Sequence, residues 1–352
     1  MQFSLKKLTL TTALIASLIG LIACQPTSNL SKSESSDSAG SLPGQGITVN
    51  SAVSIQEEKF QAEIVNIGLK KLGYQTEQIK ELDYSAMYVA IANQDLDFTA
   101  AYYPIGHAEF LKNAGGTEKL EPLGTIVDTI KQSYQIDRQT AQEYNITNLE
   151  QFKDPEIAKL FDSDGDGKAN LIGCNTGWRC EEVIRHHIDV YGLQETVEQD
   201  TGSYFALIAD AMARYRQGEP ILFYTWTPMW LSSVLKEGED VTTLVVPYTD
   251  LPGDLAQYTE KNTSIDGKNL GLLVDRAEVL ANQEFVMANP AAKRFFELVQ
   301  IPVEDISTQN DLIQQGEDQA EDIRRHAEEW VEQNQGLFNS WIEQAQNAIE
   351  YF

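Results

Sequence analysis

The chain contains 352 residues, with 53 acidic and 26 basic side chains and a formal net charge of −27. This length allows two domains at roughly 150 residues each, and a hydrophobic share of 42% is that of an ordinary globular protein. The acidic balance argues against nucleic acid and anionic lipid as partners, since both are bound through clustered Lys and Arg. A cation or a zwitterion would not be repelled.

The first 23 residues have the pattern of a signal peptide. Lys6 and Lys7 precede an uncharged, mainly apolar run at 8–23. That run is short for a membrane span and typical of the apolar part of a leader. It ends in the sequence LIAC, which resembles a bacterial lipobox, so Cys24 is the predicted lipidation site and mature N-terminus. A plain signal peptide followed by an incidental Cys is the alternative.

Residues 24–43 are rich in Ser, with Pro, Gly and Asn, and have no apolar periodicity. Such a segment cannot bury enough apolar surface to offset the entropy of ordering it. We therefore predict a flexible tether of about 20 residues with a reach of a few nanometres.

Strands and helices alternate after the tether. The predicted elements are a strand at 46–50, a helix from 54 to about 72, a helix near 85–94, strands at 96–101 and 132–136, helices at 141–153, 155–162, 181–192 and 203–217, a strand at 221–225, and helices over the last 45 residues. A capping box formed by Ser54 and Glu57 begins the first helix, and Gly73 ends it. The alternation favours parallel βαβ units and an α/β fold.

Two further cysteines, Cys174 and Cys180, form an even pair in a chain predicted to be exported. A disulfide is the expected state of such a pair. The spacing of five intervening residues and the lack of a His inside the loop argue against zinc. Because the closed loop is short, the bond should hold its local shape more than it raises global stability.

Aromatic residues follow the ends of two predicted strands and occupy the cysteine loop. Tyr103 follows one strand, Trp226 ends another, and Trp178 lies between the cysteines. Ligands of open α/β sheets bind beyond the carboxyl ends of the strands. Each ring alone is explained by core packing, but three of them together favour a cage for a quaternary ammonium group, which cannot donate hydrogen bonds.

Two features near these rings could bind a carboxylate. His107 is either a hydrogen-bonded structural histidine or a donor to the ligand. The backbone N–H groups of Arg179 and Cys180 precede a predicted helix, where anions bind well. The sequence has no Gly-x-Ser-x-Gly, GxxxxGK[ST] or HExxH motif and no GxGxxG after a strand, so we predict a binding protein rather than an enzyme.

The segment DSDGDGKAN at 162–170 matches most of a calcium-binding loop. Asp162, Asp164 and Asp166 occupy loop positions 1, 3 and 5, whereas position 12 is Gly173 instead of Glu. The alternative is an Asp/Gly-rich turn held by its own hydrogen bonds. A structural calcium ion is a candidate here, and no other cofactor is expected.

From Gly46 to about Ala348 the chain resembles the glycine betaine/proline betaine-binding proteins of bacterial osmoprotectant ABC importers. The segments that carry the resemblance are PGQGITVN, DFTAAYYPIGHAEF, FDSDGDGKANLIGCNTGWRCEE, ARYRQGEPILFYTWTPMW, LPGD and IPVEDI. The resemblance implies an α/β fold of the type II periplasmic binding class, with two lobes, two crossovers and a central ligand cleft. The implied lobes and hinges are 44–136 plus 272–352 for lobe I, 137–271 for lobe II, and hinges near 135–137 and 270–273.

The resemblance also implies a ligand site. That family surrounds the trimethylammonium group with three tryptophans and binds the carboxylate through a histidine and two backbone amides. The matching positions are Trp178, Trp226 and Tyr103 for the tryptophans, His107 for the histidine, Arg179 and Cys180 for the amides, and Cys174 with Cys180 for the family disulfide.

Two residues depart from the family pattern. Tyr103 replaces a tryptophan; its ring is a weaker cation–π partner, but its hydroxyl could reach a polar group. Arg179 replaces a glycine. Its side chain either caps the pocket with positive charge or points to solvent while its N–H binds the ligand, and the second is the favoured alternative.

The sequence therefore predicts a substrate-binding lipoprotein of an ABC importer that captures glycine betaine or proline betaine through an aromatic cage. The expected partners are a permease and an ATPase, and the expected state is an exported, lipid-anchored monomer. The alternatives are a binding protein for choline, proline or another quaternary amine, a secreted hydrolase that uses the many carboxylates, and a sensory protein that reports bound ligand to a receptor.

Overall fold

The computed structural model describes residues 41–348. The signal peptide at 1–23, Cys24 and most of the tether lie outside these residues, so the expectations for them stay predictions. Between 41 and 348, no helix is both long enough and apolar enough to cross a membrane.

The described residues form 13 strands and 14 α-helices, joined by turns and short 3-10 helices. The strands are β1 Thr48–Val49, β2 Ala52–Val53, β3 Gln75–Thr76, β4 Lys80–Glu81, β5 Phe98–Tyr102, β6 Leu120–Asp137, β7 Ala169–Ile172, β8 Val197–Asp200, β9 Leu222–Thr227, β10 Val241–Leu244, β11 Ser264–Ile265, β12 Lys268–Asn269 and β13 Asp275–Asn282. The α-helices are α1 Lys59–Lys71, α2 Tyr84–Ala92, α3 Ala108–Asn113, α4 Arg138–Glu143, α5 Pro155–Ala158, α6 Arg179–Val190, α7 Tyr204–Arg216, α8 Leu231–Val234, α9 Glu260–Thr263, α10 Gln283–Ala288, α11 Pro290–Leu298, α12 Val303–Gln314, α13 Ala320–Gln333 and α14 Gln335–Asn347.

A seven-stranded mixed sheet runs through the molecule, with the order β5-β13-β6-β9-β7-β8 and with β10 also paired to β6. The predicted parallel βαβ units occur at β1-α1-β3 and at β7-α6-β8-α7-β9. In contrast, β13 pairs antiparallel with both β5 and β6, and β6 pairs antiparallel with β9 and β10. The α/β class is therefore as predicted, but the sheet is not made of parallel units alone.

Strand β6 spans 18 residues, whereas the sequence predicted a strand only at 132–136. Its first half contains Pro122 and Gly124, which normally mark turns. Gly124 has a φ of +55°, and a Cβ there would lie 2.5 Å from the carbonyl oxygen of Phe296. The pairing of β6 with β13 shifts register several times, which lets the strand bend without ending.

Two helix predictions differ in detail from the structure. The helix predicted at 141–153 is the short α4 followed by a 3-10 turn at Leu149–Lys153, because Asn145 between them adopts a φ of +55°. The first helix begins at Lys59, after a 3-10 turn at Gln56–Glu58. The acid that caps it is therefore one residue later than predicted.

The described residues form three apolar clusters, of which the two largest are here called the two cores; the third is smaller and includes Tyr84 and Tyr88 of α2. One core contains residues from 134 to 273, including Phe152 and Phe223. The other contains residues from 49 to 130 and from 277 to 345, including Phe295. The chain passes from one core to the other within β6 and again just before β13, so these two passages position side chains from both cores around one space.

Candidate functional site

A cavity of about 120 Å³ is lined by residues of both cores. All six ligand residues proposed from the sequence line it: Tyr103, His107, Trp178, Arg179, Cys180 and Trp226. The fold brings these residues together although the first and the last are 123 positions apart in the sequence. Six further lining residues matter below: Glu57, Glu58, Tyr84, Gln132, Tyr224 and Asp275.

One side of the cavity, here called the tryptophan wall, consists of Trp178 and Trp226. Trp178 is the residue before α6, and Trp226 lies near the end of β9. Their ring centroids are 5.8 Å apart and their planes meet at 69°. Trp226 is supported from behind by the ring of Tyr204, 4.8 Å away. Two nearly perpendicular indoles of this kind form a corner of an aromatic box.

The opposite side, here called the tyrosine wall, consists of Tyr84, Tyr103 and His107. Tyr84 and Tyr103 are 5.9 Å apart with an interplanar angle of 80°, and His107 lies 5.0 Å from Tyr103. Tyr84 also approaches Trp178 to 6.2 Å, so the two walls meet. No sequence motif pointed to Tyr84, which lies in α2 and is brought to the site by the fold.

A buried carboxylate ties the tyrosine wall together. Glu58 Oε1 accepts hydrogen bonds of 2.6 Å from the hydroxyls of both Tyr84 and Tyr103. Its Oε2 accepts from the backbone amides of Ser54 and Ile55 at 2.8 and 3.4 Å. Burial raises the pKa of Glu58, and these hydrogen bonds oppose that rise. The hydroxyl by which Tyr103 differs from tryptophan thus has a specific partner.

His107 is buried, and its Nδ1 lies 2.7 Å from the Tyr88 hydroxyl. Burial, with a smaller effect from the Arg179 charge, lowers the pKa of His107 to about 3. The ring is therefore neutral near pH 7. The Tyr88 hydroxyl can donate to Nδ1 of His107 or to the Ala101 carbonyl oxygen, which is 3.3 Å away. Because Nδ1 is the nearer of the two, we assign the hydroxyl proton to that hydrogen bond. Nδ1 is then the acceptor, and the proton of the neutral ring is on Nε2.

The N-terminus of α6 supplies two backbone donors to the cavity wall. Arg179 and Cys180 are the first residues of this 12-residue helix, and no side chain caps it. The first N–H groups of a helix have no partner within the helix and carry its partial positive charge. The predicted disulfide is present between Cys174 and Cys180, so the loop that carries Trp178 is closed onto the same helix.

The favoured prediction that the Arg179 side chain points to solvent is wrong. It is only 13% exposed, and its Nη1 lies 3.4 Å from Glu109 and 2.5 Å from Glu182, while Nη2 pairs with Asp254. Its Nε is buried and has no hydrogen-bond partner within residues 41–348. Arg179 thus lines the cavity while its guanidinium charge is balanced by three carboxylates.

Two polar residues that the sequence did not point to shape the cavity from β6 and β13. Asp275 accepts hydrogen bonds from the amides of Ile105 and Gly106 at 3.1 and 2.8 Å, which fixes the turn before His107. Gln132 accepts from the Tyr224 hydroxyl at 2.7 Å. In a chain with 53 acidic residues, single carboxylates give no recognisable pattern, so only the fold identifies Asp275.

The candidate calcium loop is an exposed turn away from the cavity. Carboxylate oxygens of Asp162, Asp164 and Asp166 lie within 4.8 Å of one another. Asp162 accepts hydrogen bonds from the amides of Gly165 and Gly167 at 2.7 and 2.9 Å, and these lower its pKa. These hydrogen bonds fit the alternative of an Asp/Gly-rich turn held by its own side chains. Calcium binding stays a prediction.

The chain is similar to known proteins over most of its length. Residues 47–333 match the family described as the substrate binding domain of ABC-type glycine betaine transport systems. The glycine betaine-binding periplasmic protein OusX of Dickeya dadantii is 44% identical over 316 residues, covering 89% of this chain and 94% of the relative. The glycine betaine/proline betaine-binding periplasmic protein of Escherichia coli is 43% identical over 308 residues, covering 87% and 92%.

A solved structure extends the likeness to the fold. The glycine/betaine/L-proline-binding protein of Borrelia burgdorferi superposes with a TM-score of 0.64 at 18% identity, covering 86% of this chain and 99% of that chain. The predicted two-lobed α/β fold of type II periplasmic binding proteins is confirmed by this likeness. With the family match and the two relatives, it follows that the chain belongs to the family of substrate-binding domains of ABC-type glycine betaine transport systems.

Proposed function

We propose that this protein captures glycine betaine or proline betaine in the cavity between the tryptophan wall and the tyrosine wall and delivers it to an ABC permease. One observation carries the proposal: aromatic rings from both cores face the same cavity of about 120 Å³, beside a free helix N-terminus. The ligand is bound and released without chemical change.

The cationic end of the ligand is held by ring faces. A quaternary nitrogen donates no hydrogen bond, so the electron-rich faces of Trp178, Trp226 and Tyr103 are its suitable partners. Each desolvated contact contributes up to about 2 kcal/mol, and three of them support micromolar binding after the cost of closure.

The carboxylate end is held by neutral donors. His107 offers Nε2–H, and the amides of Arg179 and Cys180 offer the first N–H groups of α6. The Arg179 guanidinium adds positive charge at this end, reduced by its three carboxylate partners.

Ligand binding closes two lobes. We assign 44–136 plus 272–352 to lobe I and 137–271 to lobe II, with hinges near 135–137 and 270–273. The separation of the two apolar cores along the chain supports this division. Because the ligand contacts side chains from both cores, it binds the closed arrangement best and shifts the population toward it.

We further propose that the protein is exported and is anchored by a lipid on Cys24, with the segment to 43 as its tether. The two relatives are named as periplasmic proteins, which supports export. The closed form is presented to a permease coupled to an ATPase, and the protein acts as a monomer.

Calorimetric titration of the purified chain with glycine betaine, proline betaine, choline and proline tests the function. We expect micromolar binding of at least one betaine. The variant His107→Leu should bind betaine more weakly and leave any choline binding unchanged, since choline has no carboxylate. If choline binds more tightly than either betaine, the ligand assignment is wrong; if none of the four binds, the function is wrong.

A further inference from the structure

Glu57 is a buried carboxyl group in the cavity wall, and the ligand contacts proposed above do not include it. It lies in the 3-10 turn before α1 and is 7% exposed. It lines the aromatic cavity and also a second cavity, whose lining includes Phe205 and Trp230. Its Oε2 is buried and has no hydrogen-bond partner within residues 41–348. A buried polar atom left without a partner is costly, so a role for it is expected.

The contrast with its neighbour makes the point sharper. Glu58 receives four hydrogen bonds and serves the tyrosine wall and the start of α1. Glu57 receives none from another side chain, although it is nearly as deeply buried. Glu57 lines the same cavity as Trp178 and Trp226, and its charge contributes to the raised pKa of Tyr204, the ring that supports Trp226. A cation held in that cavity therefore enters the field of this carboxyl.

The charged and titratable groups around Glu57 come from several elements. Its pKa is raised to about 7, mainly by burial and further by Glu58 and Glu81, while a hydrogen bond from its own backbone amide and the charge of Lys59 lower it. Lys59 is itself paired with Glu81. Other charged or titratable side chains share a cavity lining with Glu57: Tyr84, Tyr103, His107, Arg179, Tyr224 and Asp275 in the aromatic cavity, and Glu81, Arg216 and Asp318 in the second cavity. Tyr204 on α7 also senses its charge.

We propose, on the basis of the function proposed above, that Glu57 is the counter-charge for the cationic nitrogen of the ligand and loses its proton to bulk solvent when that cation enters the cavity. The ring faces then select a methylated nitrogen, and Glu57 supplies the negative charge that hydrogen bonding cannot, since a quaternary nitrogen has no N–H. Capture of the ligand is thereby linked to release of a proton.

The direction in which pH changes the ligand affinity follows from the protonation of Glu57 in the free and in the ligand-bound protein. Without ligand the Glu57 carboxyl is largely protonated below pH 7; a bound cation favours the carboxylate and lowers its pKa. Affinity therefore falls as the pH falls, by about tenfold between pH 8 and pH 6 if the bound pKa lies at 5 or below. His107 does not titrate in this range, because burial has lowered its pKa to about 3.

The test is calorimetric titration of the full-length purified chain with glycine betaine at pH 6, 7 and 8, in buffers of different ionisation enthalpy. The dependence of the heat on the buffer counts the protons released. For the unaltered protein we expect about tenfold weaker binding at pH 6 than at pH 8, and release of about half a proton per ligand at pH 7. The variant Glu57→Gln should lose both effects and bind more weakly at pH 8.

Glu63→Gln is the matched control. Glu63 is a buried acid on α1 with a raised pKa, but it faces Arg324 and does not line the cavity. This variant should keep the pH dependence and the proton release of the unaltered protein.

Betaine binding that is independent of pH and buffer in the unaltered protein would overturn the role of Glu57 while leaving the proposed function intact. Proton release that persists in Glu57→Gln would also overturn it. The measurement on the unaltered protein needs no variant, so the proposal can be tested even if Glu57→Gln folds poorly. If neither glycine betaine nor proline betaine binds at any pH, the proposed function is rejected and this inference with it.

Discussion

The two walls of the cavity offer a cation the same kind of surface by different means. The rings of the tryptophan wall are supported by another ring, Tyr204, and by the disulfide-closed loop that precedes α6. In the tyrosine wall the phenol groups of Tyr84 and Tyr103 donate to one buried carboxylate, Glu58. One wall depends on indole faces, which are the stronger cation–π partners, and the other has a buried acid hydrogen-bonded to the hydroxyls of its weaker rings. The comparison suggests a hypothesis: the hydrogen bonds to Glu58 compensate for the weaker ring of Tyr103.

The tryptophan wall should give the largest effect. Trp226→Ala removes one indole face, and we expect glycine betaine to bind about 30-fold more weakly, which corresponds to about 2 kcal/mol. Calorimetric titration measures this directly. Trp226→Phe keeps a ring at the same place and should recover part of the affinity. Equal affinity of Trp226→Ala and the unaltered protein would remove this ring from the cage.

The tyrosine wall should give a smaller effect that tests the carboxylate behind it. Tyr103→Phe keeps the ring but removes its link to Glu58, and we expect about fivefold weaker binding of glycine betaine. Tyr102→Phe is the control, because Tyr102 is a buried neighbour that does not line the cavity. If both variants bind like the unaltered protein, the carboxylate does not strengthen this wall.

The disulfide should matter less for affinity than for the shape of the tryptophan wall. The double variant Cys174→Ser with Cys180→Ser frees the loop that carries Trp178, and we expect about threefold weaker binding because the loop is less preorganised. Closure of so short a loop contributes roughly 2 kcal/mol to stability in the chain-entropy view, so the variant should stay folded. Urea unfolding and titration of the same sample separate the two effects. A variant with unchanged affinity would show that the loop needs no covalent closure.

The smallest effect on affinity is expected from the ion pair between Glu109, which follows His107 of the tyrosine wall, and Arg179, which follows Trp178 of the tryptophan wall. Glu109→Gln removes the ion pair between α3 and Arg179, and we expect about twofold weaker binding with a reduced dependence on salt, since such exposed pairs are weak and screened. Glu182→Gln is the control, because Glu182 pairs with Arg179 within α6 and joins no other element. Titrations at low and high salt compare the two. The same salt dependence in both variants would mean that Glu109 does not join the walls.

Much of the site was predictable because its signals are local. Trp226 and Tyr103 each follow a predicted apolar strand, and Trp178 lies between two cysteines of a chain predicted to be exported; such patterns are visible within ten residues. The α/β class follows equally from alternating short strands and amphipathic helices. The acid that caps the first helix was predicted one residue too early, because the local pattern does not decide whether Glu57 or Glu58 is the capping acid.

What only the tertiary structure decided concerns contacts between distant segments. The hydroxyl of Tyr103 meets Glu58 across 45 positions of sequence, and Asp275 meets Gly106 across 169. No periodicity encodes such pairs, because they depend on how β6 and β13 turn the two cores toward each other. The sequence by itself determined which chemistry is present: aromatic rings, a histidine, a disulfide and a helix N-terminus. The fold decided that a carboxyl group binds the hydroxyls of one wall, that the Arg179 guanidinium pairs with three carboxylates and that Oε2 of Glu57 is buried without a partner among residues 41–348. These are decided by the fold because burial and hydrogen bonding are properties of packed neighbours and not of chain order.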